Sequence, residues 1–106
     1  MAWISLLAAG ILEIVWAFSM KLSHGFTKPI PTVVTLITMV ASFALLAFSM
    51  RSLPLGTAYT IWTGIGAIGA FLVGITVLGE QVNTMRVLAA VLIVSGLVLM
   101  KFSSGE

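Results

Sequence analysis

The sequence predicts an all-α membrane protein with four transmembrane helices per protomer, and three observations carry that reading. Of 106 residues, 60% are hydrophobic and only 8% charged, whereas a soluble domain carries about 25% charged residues. Such a chain cannot cover itself with a polar surface. Apolar residues then concentrate in four stretches, 2–20, 30–50, 55–78 and 87–100, and a hydrocarbon core about 30 Å thick needs roughly 20 helical residues to cross it. Finally, the connections are short, which forces neighbouring helices to run up, down, up and down.

The first stretch lacks a basic leading region, is too long for the apolar part of a signal peptide, and carries Glu13. It reads as a retained membrane helix. Gly25 and Pro29 punctuate the following loop, and Pro31 suits the first turn of the second helix. Residues 51–54 and 79–84 form the other two connections. The fourth stretch has only 14 strictly apolar residues, about 21 Å at 1.5 Å per residue. It is read as a helix over 85–101 that borrows length from Met85, Arg86, Lys101 and Phe102, whose long side chains can reach the interface. No segment outside the helices is long enough for a soluble catalytic domain. The expectation is one transmembrane domain over 1–106, and not an enzyme.

The net charge of +2 comes from five cations at the segment ends, where snorkelling Lys and Arg belong. It carries no information about nucleic acid. There is no cysteine, hence no disulfide framework and no thiol chemistry. Arg51 and Lys101 fall on one side of the membrane and Lys21, Lys28 and Arg86 on the other. That is almost no positive-inside bias. Two readings fit: a small protein with few charges whose insertion follows other signals, or copies that insert both ways and pair antiparallel.

Glu13 is the one formally charged side chain inside the four stretches. An ionisable residue at that depth is expensive and marks an ion or substrate pathway by default. Trp16 follows one turn later on the same face, and Ala9 and Gly10 precede it by one turn. On the second helix Thr35, Thr38, Ser42 and Ser49 form a polar stripe. Membrane hydroxyls commonly bond across helices or to their own backbone, but Ser42 lies at the depth of Glu13 and is the candidate to orient its carboxylate.

On the third helix Tyr59 and Trp62 stand one turn apart, with Gly66 and Gly69 beyond them on the same face. Trp3 and Tyr59 suit an interfacial aromatic belt; Trp62 is deeper and would wall an acidic pocket with Trp16. Gly56, Thr60, Thr63, Ala67, Ala70 and Gly74 form a small-residue stripe that lets a neighbouring helix approach. Gly64 and Gly66 permit either close packing or a mid-helix bend. On the fourth helix Ala89, Ser95 and Gly96 give a narrow patch suited to assembly. His24 reads as solvated, and Glu80 as solvated or near Arg86. One His and one buried acid make no metal site, and no cofactor is expected.

Burial disfavours the charged form of a carboxyl, so a proton and a cation would compete for this one group, the minimal requirement for antiport. A homodimer with two such acids would titrate as a coupled set. A guanidinium binds carboxylates bidentately and stacks on aromatic rings; a quaternary ammonium uses the rings and the charge alone.

Several runs carry a resemblance. Glu13-Ile14-Val15-Trp16-Ala17, Ser23-His24-Gly25-Phe26-Thr27, Leu53-Pro54-Leu55-Gly56-Thr57-Ala58-Tyr59 and Trp62-Thr63-Gly64-Ile65-Gly66-Ala67 resemble the small multidrug resistance family over essentially the whole chain. Trp16, Arg51-Ser52-Leu53-Pro54 and the Trp62–Ala67 run look like its guanidinium exporter branch. Where Trp16 stands, the polyspecific drug exporters tend to have a small residue. Leu22 departs from the pattern, where an aromatic is expected.

The resemblance implies an antiparallel, dual-topology homodimer in the cell inner membrane, exporting guanidinium and small substituted guanidinium cations in exchange for protons by alternating access. It implies Glu13 as the proton and cation ligand, Ser42 and Trp62 as its hydrogen-bonding neighbours, and Trp16 and Tyr59 as the remaining walls. The fourth helix would supply much of the dimer contact, and the third-helix glycines the bend. The rival readings are a proton-coupled exporter of quaternary ammonium or other hydrophobic cations, a dual-topology ion channel, and an assembly subunit without transport.

Overall fold

A computed structural model describes residues 1–103. Four helices follow one another: α1 (Ala2–Leu22), α2 (Pro29–Ser49), α3 (Leu55–Thr76) and α4 (Thr84–Ser103). Each is long and apolar enough to cross a membrane. The shortest has 20 residues, about 30 Å at 1.5 Å per residue.

Helix ends depart from the apolar boundaries for local reasons. Lys28 is extended, at φ −97° and ψ 124°, because a residue before proline is pushed out of the helical region. The helix therefore begins on Pro29 itself. α3 stops at Thr76 rather than 78. There the chain turns on Gly79, at φ 69°, and the Glu80 N–H donates to the Gly74 carbonyl at 2.9 Å. α4 begins at Thr84 because Asn83 caps it: the Arg86 N–H donates to Asn83 Oδ1 at 2.9 Å, satisfying an otherwise orphaned donor of the first turn. The α1–α2 turn is a small rigid unit built on Ser23. The Ser23 hydroxyl donates to the Met20 carbonyl at 2.7 Å and accepts from the Phe26 N–H at 3.0 Å. His24, Gly25 and Phe26 are all left-handed, at φ 50°, 75° and 68°, which for His24 and Phe26 is an uncommon conformation.

The helices do not close into a bundle. α1 packs on α2 and α3, α3 carries α4, α2 meets α3 only slightly, and the α4 backbone touches no other helix. The order across the layer is α2, α1, α3, α4, and the Cα atoms occupy 43 × 35 × 16 Å. The interior consists of Leu6, Ala9, Leu46, Leu53, Ala58, Ile61 and Trp62. No residue of α4 is buried. Large apolar side chains cover the outside, which suits lipid contact and leaves one face of the layer open.

Glycines set the spacing of α1 and α3. A Cβ on Gly10 would overlap Ile65, one on Gly66 would overlap the Glu13 carboxyl, and one on Gly69 would overlap Ile14. The two helices run parallel at a separation that no larger residue allows at these points. Gly64 does the same for α4, where Leu97 fills the missing side chain's place.

Candidate functional site

Glu13 lies at mid-length of α1, half-buried, with its carboxyl against the Gly66 backbone. Its Oε1 is enclosed and finds no hydrogen-bond partner among the described residues. The Trp16 indole Nε1 is in the same condition. A buried acceptor left unmatched costs about 1–3 kcal/mol, so this carboxyl is poised to take a proton or a donor from elsewhere.

One turn towards the α1 N-terminus lies a locked polar layer. The Trp62 indole N–H donates to the Ser42 hydroxyl oxygen at 3.0 Å, and the Ser42 hydroxyl donates to the Ala9 carbonyl at 2.7 Å. α1, α2 and α3 are thereby tied together directly beneath Glu13. This corrects one expectation. Neither Ser42 nor Trp62 donates to the carboxylate, because each has spent its single proton within the layer. The other stripe hydroxyls bond their own helix: Thr35 to Pro31, Thr38 to Val34 and Ser49 to Leu46, each at 2.7 Å. Ser42 alone of the four reaches a second helix.

A chain of aromatic rings runs from Trp16, one turn from Glu13, to Tyr59. Trp16 meets Phe43 edge-on at 6.2 Å, Phe43 meets Trp62 at 5.7 Å, and Trp62 meets Tyr59 at 5.6 Å. The first two contacts are edge-to-face and the third is tilted, arrangements that aromatic rings prefer over a face-to-face stack. Phe43 and Tyr59 are about half exposed, at 47% and 52%. The structure thus links Trp16, Ser42, Tyr59 and Trp62 through Phe43 and the Ser42 bonds, one turn from Glu13, with Ser42 and Trp62 buried and Tyr59 exposed. Phe43 was missed by sequence reasoning. Its only signal was its position beside Ser42 in the middle of α2.

Gly64 and Gly66 sit in a helix that runs unbroken from Leu55 to Thr76, and each accommodates a neighbouring side chain. The α4 residues do not form the single patch expected. Gly96 lines a groove of about 510 Å³ beside Thr60 and Thr63, while Ser95 lines another beside Ile68 and Leu72. Ala89 shares a third hollow with Arg86 and Phe71. Adjacent positions 95 and 96 diverge around the helix, so they face opposite flanks of α3. All three are exposed, and a Cβ on Gly96 would meet nothing within 4 Å. Trp3 is a half-buried interfacial ring with the Lys101 ammonium 4.5 Å from its centroid. Among the described residues no three His, Cys, Asp or Glu side chains gather as a metal site would require.

A family model described as Small Multidrug Resistance protein matches residues 1–93. The chain is 52% identical to the Guanidinium exporter of Escherichia coli (strain K12), with 98% of this chain and 99% of the relative covered. It is 50% identical to the Guanidinium exporter of Yersinia pestis, covering 98% of this chain and all, 100%, of that one. The Guanidinium exporter of Citrobacter freundii is likewise 50% identical, over 98% and 99%.

Proposed function

The chain belongs to the small multidrug resistance family, and from that premise we propose that it exports guanidinium and small substituted guanidinium cations in exchange for protons. It is a multi-pass membrane protein of the inner membrane. The observation that carries the proposal is the Glu13 carboxyl, held at mid-membrane depth with one oxygen unmatched and with Trp16 one turn away.

A proton on Glu13 satisfies the carboxyl as a neutral group. Two guanidinium N–H groups satisfy it as a charged one, through the bidentate geometry that suits a planar fork. The two states exclude each other, so binding the cation releases the proton. The ring faces of Trp16 and Trp62 add attraction of about 0.5–2 kcal/mol for a desolvated cation. The Trp62–Ser42–Ala9 bonds hold the Trp62 ring and the backbone below Glu13 in fixed positions. Ser42 and Trp62 are in this account positioning groups, with Tyr59 the outer wall.

One open layer does not enclose a pathway. A second copy facing it supplies the missing wall and a second Glu13. The near balance of cations on the two sides favours an antiparallel, dual-topology homodimer, and α4, with nothing buried in the protomer, is free to supply much of the contact. In such a dimer the two copies take different conformations, so that the shared site opens to one side at a time, and exchanging the two conformations gives alternating access without a new fold state.

The test is guanidinium uptake into proteoliposomes with proton movement followed in parallel. The expected result is proton flux driven by a guanidinium gradient in the wild type and none in Glu13→Gln. Uptake of tetraalkylammonium cations without uptake of guanidinium would replace this reading with the quaternary ammonium one. Passive guanidinium flux without proton movement would replace it with a channel.

A further inference from the structure

Glu80 is the second carboxylate of the described residues, and it is exposed, as the sequence reading allows. It folds back over the end of α3. Its carboxyl rests on Gly74, where a Cβ would overlap it, and its N–H holds the Gly74 carbonyl at 2.9 Å. Glu80 lines a small cavity of about 180 Å³ with Ala17, Lys21, Ala70 and Val73.

The position of that cavity gives it meaning. Glu13, Ala17 and Lys21 follow one another at four-residue spacing on α1, and Gly66, Ala70 and Gly74 do so on α3. Residues four apart stack on one helix face. Because Glu13 meets Gly66, the cavity begins one turn beyond the site, and Glu80 stands about two turns beyond it. In the opposite direction Ile65 fills the space at Gly10, and beyond it the seam opens into a groove lined by Trp3, Leu6, Leu7 and Ile61 that holds Lys101 and no carboxylate. Of the two openings along the seam, the one towards Glu80 is the one that carries an acidic group. A carboxylate there is also electrostatically out of place, because the C-terminus of a helix carries partial negative charge and favours cations. The negative end of α3 and the Glu80 carboxylate together make a place for a cation, and Lys21 lines the same cavity as a tethered one.

We propose that Glu80, seated on Gly74 in the cavity it shares with Lys21, is an outer cation-binding station through which guanidinium passes on its way to Glu13. This rests on the guanidinium-export reading above. Glu80 touches substrate before Glu13 does and takes no part in the proton exchange itself.

The experiment measures initial rates of guanidinium transport against guanidinium concentration in proteoliposomes, for wild type, Glu80→Gln, Glu80→Asp and Gly74→Ala. The exposed position of Glu80 sets the scale: losing an exposed charge contact should raise KM about two- to fivefold in Glu80→Gln, with kcat retained. Asp should restore most of the loss. Gly74→Ala keeps the charge but pushes the carboxyl aside, and should raise KM like Glu80→Gln. Raising the salt should shrink the differences, since exposed charges are screened within about a Debye length.

Unchanged KM in both Glu80→Gln and Gly74→Ala would overturn the proposal, as would a fall in kcat with KM constant. If Glu80→Gln does not assemble, Gly74→Ala and Glu80→Asp decide the matter on the same readout. Wild type that moves no protons with guanidinium would overturn the export reading itself, a result visible before any Glu80 variant is compared.

Discussion

The Trp62 indole N–H meets the Ser42 hydroxyl at 3.0 Å, and that contact leaves the Ser42 proton on the Ala9 carbonyl at 2.7 Å. The pair is a clamp across three helices, placed one turn beneath Glu13. Two consequences follow for its variants. Ser42→Ala strands a buried indole N–H, and a stranded buried donor costs about 1–3 kcal/mol. Trp62→Phe removes the same bond from the other end. Each should weaken guanidinium binding, and together they should fall short of additive by about 0.5–3 kcal/mol. A double-mutant cycle on guanidinium affinity measures the shortfall; strictly additive losses would mean that the two residues act independently.

Gly66 and Gly64 separate site from scaffold. Gly66→Ala puts a methyl group into the Glu13 carboxyl, whereas Gly64→Ala puts one into Leu97 on α4. Overpacking of this kind costs about 1–3 kcal/mol. Gly66→Ala should abolish most proton-coupled transport while the protein remains folded. Gly64→Ala should lower the thermal midpoint and retain more transport. Parallel melting and uptake curves distinguish them, and equal transport losses at equal stability would contradict the assignment.

Trp16 should govern discrimination between cations. Trp16→Ala removes a ring face worth about 0.5–2 kcal/mol to a desolvated cation and opens space beside Glu13. Guanidinium affinity should fall, and uptake of a tetraalkylammonium should rise relative to it. Competition between the two cations in one uptake assay reads this directly. An unchanged preference would remove Trp16 from the binding wall.

Gly96 tests the assembly surface. Because a Cβ there meets nothing in its own chain, Gly96→Leu should leave the protomer's helicity unchanged. If a second copy packs in the groove beside Thr60 and Thr63, the same change should weaken the dimer by at least about tenfold, or 1.4 kcal/mol. Dissociation followed by energy transfer in liposomes gives the number. Wild-type association would place the dimer contact on another face.

The four helices were legible because hydropathy decides them in a bilayer: only a chain with its backbone bonds satisfied internally can cross. Their exact ends were less so. Asn83 starts α4 three residues before the strictly apolar run, and Pro29 starts α2 through the restriction it places on Lys28. Glu13 and its aromatic company were visible as a charge in an apolar helix and as rings at helical spacing. The Ser42 bonds were not, because Thr35, Thr38, Ser42 and Ser49 look alike along α2, and only the lateral order α2–α1–α3 brings Ser42 between Ala9 and Trp62. The sequence reads Glu80 as solvated or near Arg86, and it is exposed. The left-handed Gly79 turns it back towards Gly74, a reversal that hydropathy does not encode.

The central claim is that one carboxyl, that of Glu13, holds either a proton or the cation. Proton release on adding guanidinium to the purified protein in a weakly buffered solution tests it most directly. The account expects release that rises with guanidinium and saturates with binding in the wild type, and none in Glu13→Gln. Saturable guanidinium binding without proton release, or the same release from Glu13→Gln, would contradict it.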